Sequence, residues 1–397
     1  MRQNMFYYRL TQGASWLLAT FIFKRKIIRN EIKGKKGPFV VIANHQAALD
    51  FVNLIGITKT PMNFVISNSF YNSLPIKNIL DKLGLIPKQQ FQTTVKDMKR
   101  MKSVIESGNP LVIYPAGLMC EDGVSTPIPT ATYKFLKWLN VDIYVARTYG
   151  TYFSMPKWTK GFRSGRTYLD VYKLFSKQEI EVADIEDIKA KTNEALLFDA
   201  YREQEKCLVK YKNCANIEGI ENVLYMCPEC KNEFTIKTDK TRIFCKKCGF
   251  EQNSDDFGFL HNKEPKKEIR YVSDWSKIIY NDLKNQIKSG EIEFLSSKTK
   301  IHTIDYSKHK FFEIGEGSVK LTYDGFIIDG IINGEETILN ISIKNFASLP
   351  FSPGKYFEIQ HGDNIYRCVL EDGKLVMKFI NMIKIYYELN NEKVIVK

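Results

Sequence analysis

The sequence contains no run approaching the roughly 18 apolar residues that a membrane-spanning helix requires; its best candidate, Ala14 to Phe23, is ten residues long. No transmembrane helix is expected. A secretory leader is not expected either, because that short run lacks a small-residue cleavage site and is followed by Lys24, Arg25, Lys26 and Arg29. A cytoplasmic location is therefore expected. Proline (13) and glycine (23) are too sparse among 397 residues for a collagen-like or low-complexity chain, and 44% hydrophobic with 26% charged residues excludes global disorder. No internal repeat is visible, and the length predicts two to four domains.

Acidic residues are scarce in the first part of the chain. Residues 1–160 hold 22 Lys+Arg against 8 Asp+Glu, whereas residues 161–397 hold 36 against 37. Nearly all of the net charge of +13 thus belongs to one half. That half is expected to attract anionic lipid, phosphate esters, nucleic acid or an acidic carrier protein, the alternative being a solvated lysine-rich surface. Near its start, Phe6, Tyr7, Leu10, Trp16, Leu17, Leu18, Phe21, Ile22 and Phe23 sit between Arg2, Arg9 and the Lys24–Arg29 cluster. A helix with a bulky apolar face and basic flanks suits a membrane interface, and it also suits packing on its own domain.

From Pro38 the pattern alternates strand and helix. Phe39–Ala43, Leu111–Tyr114 and Val141–Ala146 are buried-type apolar runs, Thr94–Ser107 reads as a helix between the first two, and Arg163–Arg166 turns the chain back into Thr167–Phe175. The fold class expected is α/β, a mixed, largely parallel sheet with helices on both faces. Residues 180–212 read as helical, 253–267 as a linker, and 273–288 as another helix. After Gly290, short strands alternate with turn signals such as Asp324-Gly325 and Asn333-Gly334 and end in a helical pattern after Gly373. A C-terminal, mainly β domain with weak similarity to PH or GRAM-like modules is expected.

His45 directly follows the first buried-type strand, and Asp50 lies five residues on. In an open α/β sheet, ligands bind at the C-terminal mouths of the strands. A histidine there can take a proton from a hydroxyl while a nearby carboxylate fixes its tautomer. Asn44-His45-Gln46-Ala47-Ala48-Leu49-Asp50 resembles the NHxxxxD motif of the glycerolipid acyltransferases, the family that includes the 1-acylglycerol-3-phosphate acyltransferases. Tyr114-Pro115-Ala116-Gly117 is similar to that family's phenylalanine-proline-glutamate-glycine-threonine-arginine block, and Gly84-Leu85-Ile86-Pro87-Lys88 lies where the family has a phosphate-contacting block. The likeness extends over roughly residues 35–175.

The resemblance implies direct acyl transfer. His45, oriented by Asp50, would deprotonate an acceptor hydroxyl that attacks the thioester of acyl-CoA or acyl-carrier protein. Asn44, Lys88, Tyr114, Pro115, Ala116 and Gly117 would contact substrate. The sequence departs from the family at Ala116, Leu118 and Met119, which replace its Glu and Thr-Arg, and Lys88 stands where an Arg is usual. A lysine offers a point charge instead of a bidentate fork. Glu121 and Asp122 could restore a carboxylate, and acceptors other than lysophosphatidate remain open.

Eight cysteines are present, and Cys227-x2-Cys230 is followed after fourteen residues by Cys245-x2-Cys248. Two such knuckles can close a tetrahedral Zn(S)4 site with no open position for catalysis, so a structural zinc ribbon is expected. The remaining histidines, 261, 302, 309 and 361, read as surface or packing residues, and Cys120 as a buried thiol.

The sequence therefore predicts an acyltransferase domain at 1–212 with an interfacial N-terminal helix, a zinc ribbon at 220–252 and a β-domain at 285–397. Its expected partners are a lipid acceptor, an acyl donor that includes acyl-carrier protein, and the anionic inner face of a membrane. The alternative is a catalytically weakened lipid-binding scaffold whose ribbon recruits a partner. Nucleic acid is disfavoured, because the ribbon lacks aromatic stripes and the positive charge lies elsewhere.

Overall fold

Three apolar runs occupy the middle of a seven-stranded sheet, as their lack of polar alternation requires of strands covered on both faces. The computed structural model describes residues 3–88, 94–262, 264, 268–343, 346–362 and 364–395. The sheet consists of β1 (Lys26–Asn30), β2 (Val40–Ala43), β3 (Asn63–Ser67), β4 (Ile86–Lys88), β5 (Leu111–Ile113), β6 (Ile143–Tyr149) and β7 (Tyr168–Phe175), in the order β1-β7-β6-β2-β5-β3-β4. All neighbours are parallel except β6 and β7. The expected mixed, largely parallel sheet is what forms.

Side chains alternate along β2, and this separates two cores. Val40 and Ile42 pack with Leu111, Val145 and the helices Val95–Glu106, Thr130–Leu139 and Ile185–Leu196. Val41 and Ala43 face the other way, toward Val112, Ala146 and the short helix Asp50–Ile55. Helices thus cover both faces. Val95–Glu106 starts at a capping box in which Thr94 and Asp97 each accept from the other's backbone N–H.

Two local expectations are corrected. The basic run after Phe23 does not flank a continuous helix: Met5–Leu17 continues as a π-turn over Leu18–Ile22, and Lys26–Asn30 is then an edge strand parallel to β7. Arg29 pins it there with a bidentate pair to Asp170 at 2.8 and 2.9 Å. The expected helical stretch 180–212 is three helices, Lys177–Val182, Ile185–Leu196 and Ala200–Cys207, because Asp184 and Asp199 each cap a new start.

The chain divides into two compact units, residues 1–156 with 160–214, and residues 157–159 with 215–397. In the second, β8 (Ile236–Asp239), β9 (Arg242–Cys245), β10 (Glu251–Ser254) and β11 (Leu260–His261) form an antiparallel sheet. The segment read as a linker therefore contributes strands, held by buried Phe259 and Leu260; of its residues, 263 and 265–267 lie outside those described.

A third, wholly antiparallel sheet follows. It comprises β12 (Leu295–Asp305), β13 (Lys310–Leu321), β14 (Gly325–Ile332), β15 (Glu335–Ser342), β16 (Phe351–Ser352), β17 (Tyr356–His361) and β18 (Asn364–Leu370), in the order β15-β14-β13-β12-β18-β17-β16. The helix Leu375–Ile395 packs on it through Phe379, which lies against Phe357 and Phe326 with ring centroids at 5.2 and 6.4 Å. Among the described residues, no helix is long and apolar enough to cross a membrane.

Candidate active site and metal-binding cluster

Because β2, β3, β4, β5 and β6 run parallel, their C-terminal ends share one edge of the sheet. His45 follows β2 there, Tyr114 follows β5, and Lys88 ends β4. Between His45 and the helix Asp50–Ile55 the chain makes a tight turn, and Asp50 folds back into it. Its Oδ2 accepts from the backbone N–H of Gln46 at 2.6 Å and of Ala47 at 2.9 Å, and lies 2.9 Å from His45 Nδ1. An oxygen already accepting from two N–H groups requires a donor at the third position, so Nδ1 carries the proton and Nε2 keeps its lone pair. Asp50 is fully buried, whereas the imidazole is 21% exposed. The pair therefore has a fixed, shielded carboxylate and an accessible base.

The turn is anchored to β6 and the residues after it. The Asn44 amide donates to the Thr148 carbonyl at 2.8 Å and accepts from the Thr148 N–H at 2.8 Å and its hydroxyl at 3.0 Å. Asn44, expected to touch substrate, thus commits its amide oxygen and one amide N–H to the neighbouring strand while lining the recess. Gln46 Oε1 accepts from the Thr151 hydroxyl at 3.0 Å and the Tyr152 N–H at 3.1 Å. The Cys120 thiol donates to the Gln46 carbonyl at 3.8 Å, and burial pushes its pKa well above the ordinary thiol value. It is a structural thiol and no nucleophile.

His45 lines a small recess that is open to solvent. Ala43, Asn44, Pro115 and Ala116 form one side, and Ser125, Thr126, Ile128 and Leu196–Phe198 the other. Among the described residues, no lysine, arginine or carboxylate lines it. The second wall, which sequence reasoning missed, is tied together by the Ser125 N–H donating to the Phe198 carbonyl at 3.0 Å and the Phe198 N–H donating to the Ser125 hydroxyl at 3.2 Å. Nothing in the local sequence pairs residues 73 apart.

The other expected contact residues are distributed around this recess. The Tyr114 ring lies on the His45 imidazole, with centroids 4.5 Å apart and planes 33° apart. Gly117 is exposed just beyond, with φ +70°. Lys88 stands outside the recess, on an edge strand three places from β2, or roughly 14 Å at ordinary strand spacing. Burial lowers its pKa, partly offset by Asp97.

In the second unit, the Sγ atoms of Cys227, Cys230, Cys245 and Cys248 all lie within 4.8 Å of one another, with Cys227–Cys248 at 3.6 Å and Cys230–Cys245 at 3.8 Å. A tetrahedral zinc–thiolate centre with Zn–S near 2.3 Å needs sulfurs about 3.8 Å apart, so these four residues can hold a metal ion. Each knuckle turns through a left-handed residue after its first pair member's loop: Lys231 donates to the Cys227 carbonyl and Gly249 to that of Cys245.

Residues 24–138 match the family model described as Acyltransferase. That span contains His45, Asp50, Lys88 and Tyr114–Gly117, but not Thr148 or the Leu196–Phe198 wall. No curated protein matches the chain. Among solved structures, the chain is similar to the 1-acyl-sn-glycerophosphate (LPA) acyltransferase PlsC from Thermotoga maritima, with a TM-score of 0.42 and 16% identity over 47% of this chain and 76% of that one. It is also similar to the Ran binding domain of the nuclear complex component Nup2 from Ashbya gossypii, with a TM-score of 0.20 and 16% identity over 24% of this chain and 99% of that one.

Proposed function

We propose that the chain is an acyltransferase that moves a fatty acyl group from acyl-CoA or an acyl-carrier protein to the hydroxyl of a lysophospholipid or related acceptor. The observation that carries this reading is the His45–Asp50 pair at a parallel-strand mouth, inside the span that matches the acyltransferase family model. His45 Nε2 takes the acceptor's proton as its oxygen attacks the thioester carbonyl. Asp50 stabilises the imidazolium. Collapse of the tetrahedral intermediate breaks the C–S bond, and the leaving thiolate recovers the proton. A thioester is already activated, so the main tasks are to supply a base and hold two substrates together.

The uncharged recess, with Ala116 where the resemblance has Glu, favours an acceptor that is not gripped there by a fixed ion pair. Lys88 serves in this reading as a phosphate contact farther along the strand mouths. Zinc is the metal proposed for the four cysteines, in a structural role.

Membrane contact in this reading runs through the N-terminal helix, whose Phe6, Leu10 and Phe21 are 72%, 64% and 69% exposed. The basic half of the chain would hold it on the anionic cytoplasmic leaflet. Each exposed phenylalanine buried in lipid contributes on the order of 1.5–3 kcal/mol. Phe6→Ser combined with Phe21→Ser is therefore expected to weaken vesicle binding by roughly 100-fold or more, as measured by flotation with anionic vesicles. Unchanged flotation would remove the helix from the interface.

The function itself is tested by offering the purified protein acyl-CoA and acyl-carrier protein with a panel of lysophospholipids and simple alcohols. Transfer supports the enzyme. Vesicle binding without transfer to any acceptor would favour a lipid-binding scaffold instead.

A further inference from the structure

Around the His45–Asp50 pair, three buried polar atoms have no protein partner among the described residues: Asp50 Oδ1, the Tyr114 hydroxyl and Gln46 Nε2. Leaving a phenol and a carboxylate oxygen unpaired in the interior is strongly unfavourable. The two are also complementary, since the phenol can donate and an ionised carboxylate can only accept. They are close enough in charge terms for Asp50 to act on the phenol: burial first, and the Asp50 carboxylate second, push the Tyr114 pKa well above its ordinary value. The tyrosine therefore stays a neutral donor. Its ring already flanks the imidazole at 4.5 Å. The acyltransferase block that this segment resembles opens with phenylalanine, so the hydroxyl is an addition in this chain.

We infer that Tyr114 is a positioning residue, whose hydroxyl donates through one buried water to the second oxygen of Asp50, and so fixes the carboxylate that orients His45. The inference rests on the reading of His45 as the general base. Without that donor the Asp50 carboxylate is less stabilised and pulls harder on Nδ1–H, so the imidazolium is favoured and His45 titrates higher. The other titratable groups acting near this pair are Cys120 and, beside it, Glu121 and Asp122.

The test uses full-length Tyr114→Phe and follows the His45 ring nitrogens by NMR, with the signal assigned by its loss in His45→Gln. The His45 titration is expected to move up by roughly half a pH unit. The acid limb of kcat should move with it, and kcat should fall roughly three- to tenfold with KM unchanged. In an Asp50→Asn background the same substitution should produce no further shift. An unmoved titration overturns the inference, including when the variant is merely less stable to heat, since Tyr114 would then be only structural. A shift of equal size with Asp50→Asn present overturns it too. The ring titration needs no acyl transfer, so an inactive protein whose titration shifts supports the Tyr114–Asp50 link while removing the enzymatic reading.

Discussion

Replacing His45 with Ala is expected to lower acyl transfer by roughly 10²–10⁴-fold, the usual contribution of a positioned general base. Among the described residues lining the recess, the imidazole is the one ionisable side chain placed to take the proton. Its loss takes one donor from the fully buried Asp50, so the thermal transition should fall while the fold is retained. Asp50→Asn should produce a loss of similar order by another route. Its carboxylate holds the Nδ1–H tautomer and two backbone N–H groups with one oxygen, and an amide presents that oxygen without the charge. Rates measured at saturating donor and acceptor, with circular dichroism alongside, decide the matter. Full transfer by folded His45→Ala would sink the proposed mechanism.

Metal removal should have the second large effect, and it should reach well beyond the cysteines. Structural zinc in comparable thiolate sites contributes on the order of 10–16 kcal/mol, which is as much as the whole stability of an ordinary domain. Here the cysteine loops are not an isolated bead. The Met226 carbonyl, beside Cys227, accepts from the fully buried Trp275 indole at 2.9 Å, and Phe250, two residues past Cys248, packs edge-on against the same ring at 5.6 Å. Glu233 pairs with Lys378 of the C-terminal helix at 2.6 Å. Chelation is thus expected to unfold residues 215–397 broadly at room temperature. Tryptophan emission should shift to the red, and the shift should be smaller in Trp275→Phe, where Trp158 is the remaining tryptophan of that unit. A metal-free protein with unchanged emission would show that the thiols are dispensable for the fold.

The parts of the fold that were legible in the sequence are those set by local rules. Val40–Ala43, Leu111–Ile113 and Ile143–Val145 are continuous apolar runs because both faces of their strands are covered. Thr94 with Asp97 marks a helix start, and two knuckles of cysteine mark a cluster that can hold a metal. The His45–Asp50 pair was legible for the same reason, since its bonds span at most five residues. What stayed hidden is non-local. The Asn44–Thr148 and Gln46–Thr151 bonds join residues 104 and 105 apart, and the recess wall brings Ser125 to Phe198. β12 was also missed: Lys298, Lys300 and His302 break its apolar signal because one face of this strand is largely polar. Lys26–Asn30 escaped notice because an exposed edge strand carries no burial pattern.

The position of β2 between β5 and β6 has a consequence for how the protein is made. When β5 has left the ribosome, β2 can pair on one side only, and its other edge stays bare until Ile143–Tyr149 emerges about a hundred residues after β2 itself. During that interval Val40–Ala43 is a wholly apolar strand with one bare edge, the kind of edge that recruits other chains. The nascent polypeptide therefore passes through a sticky stage before the clamp on Asn44 can close. Slow codons placed just before β6 would lengthen that stage, and chaperones that hold exposed strands would act in it.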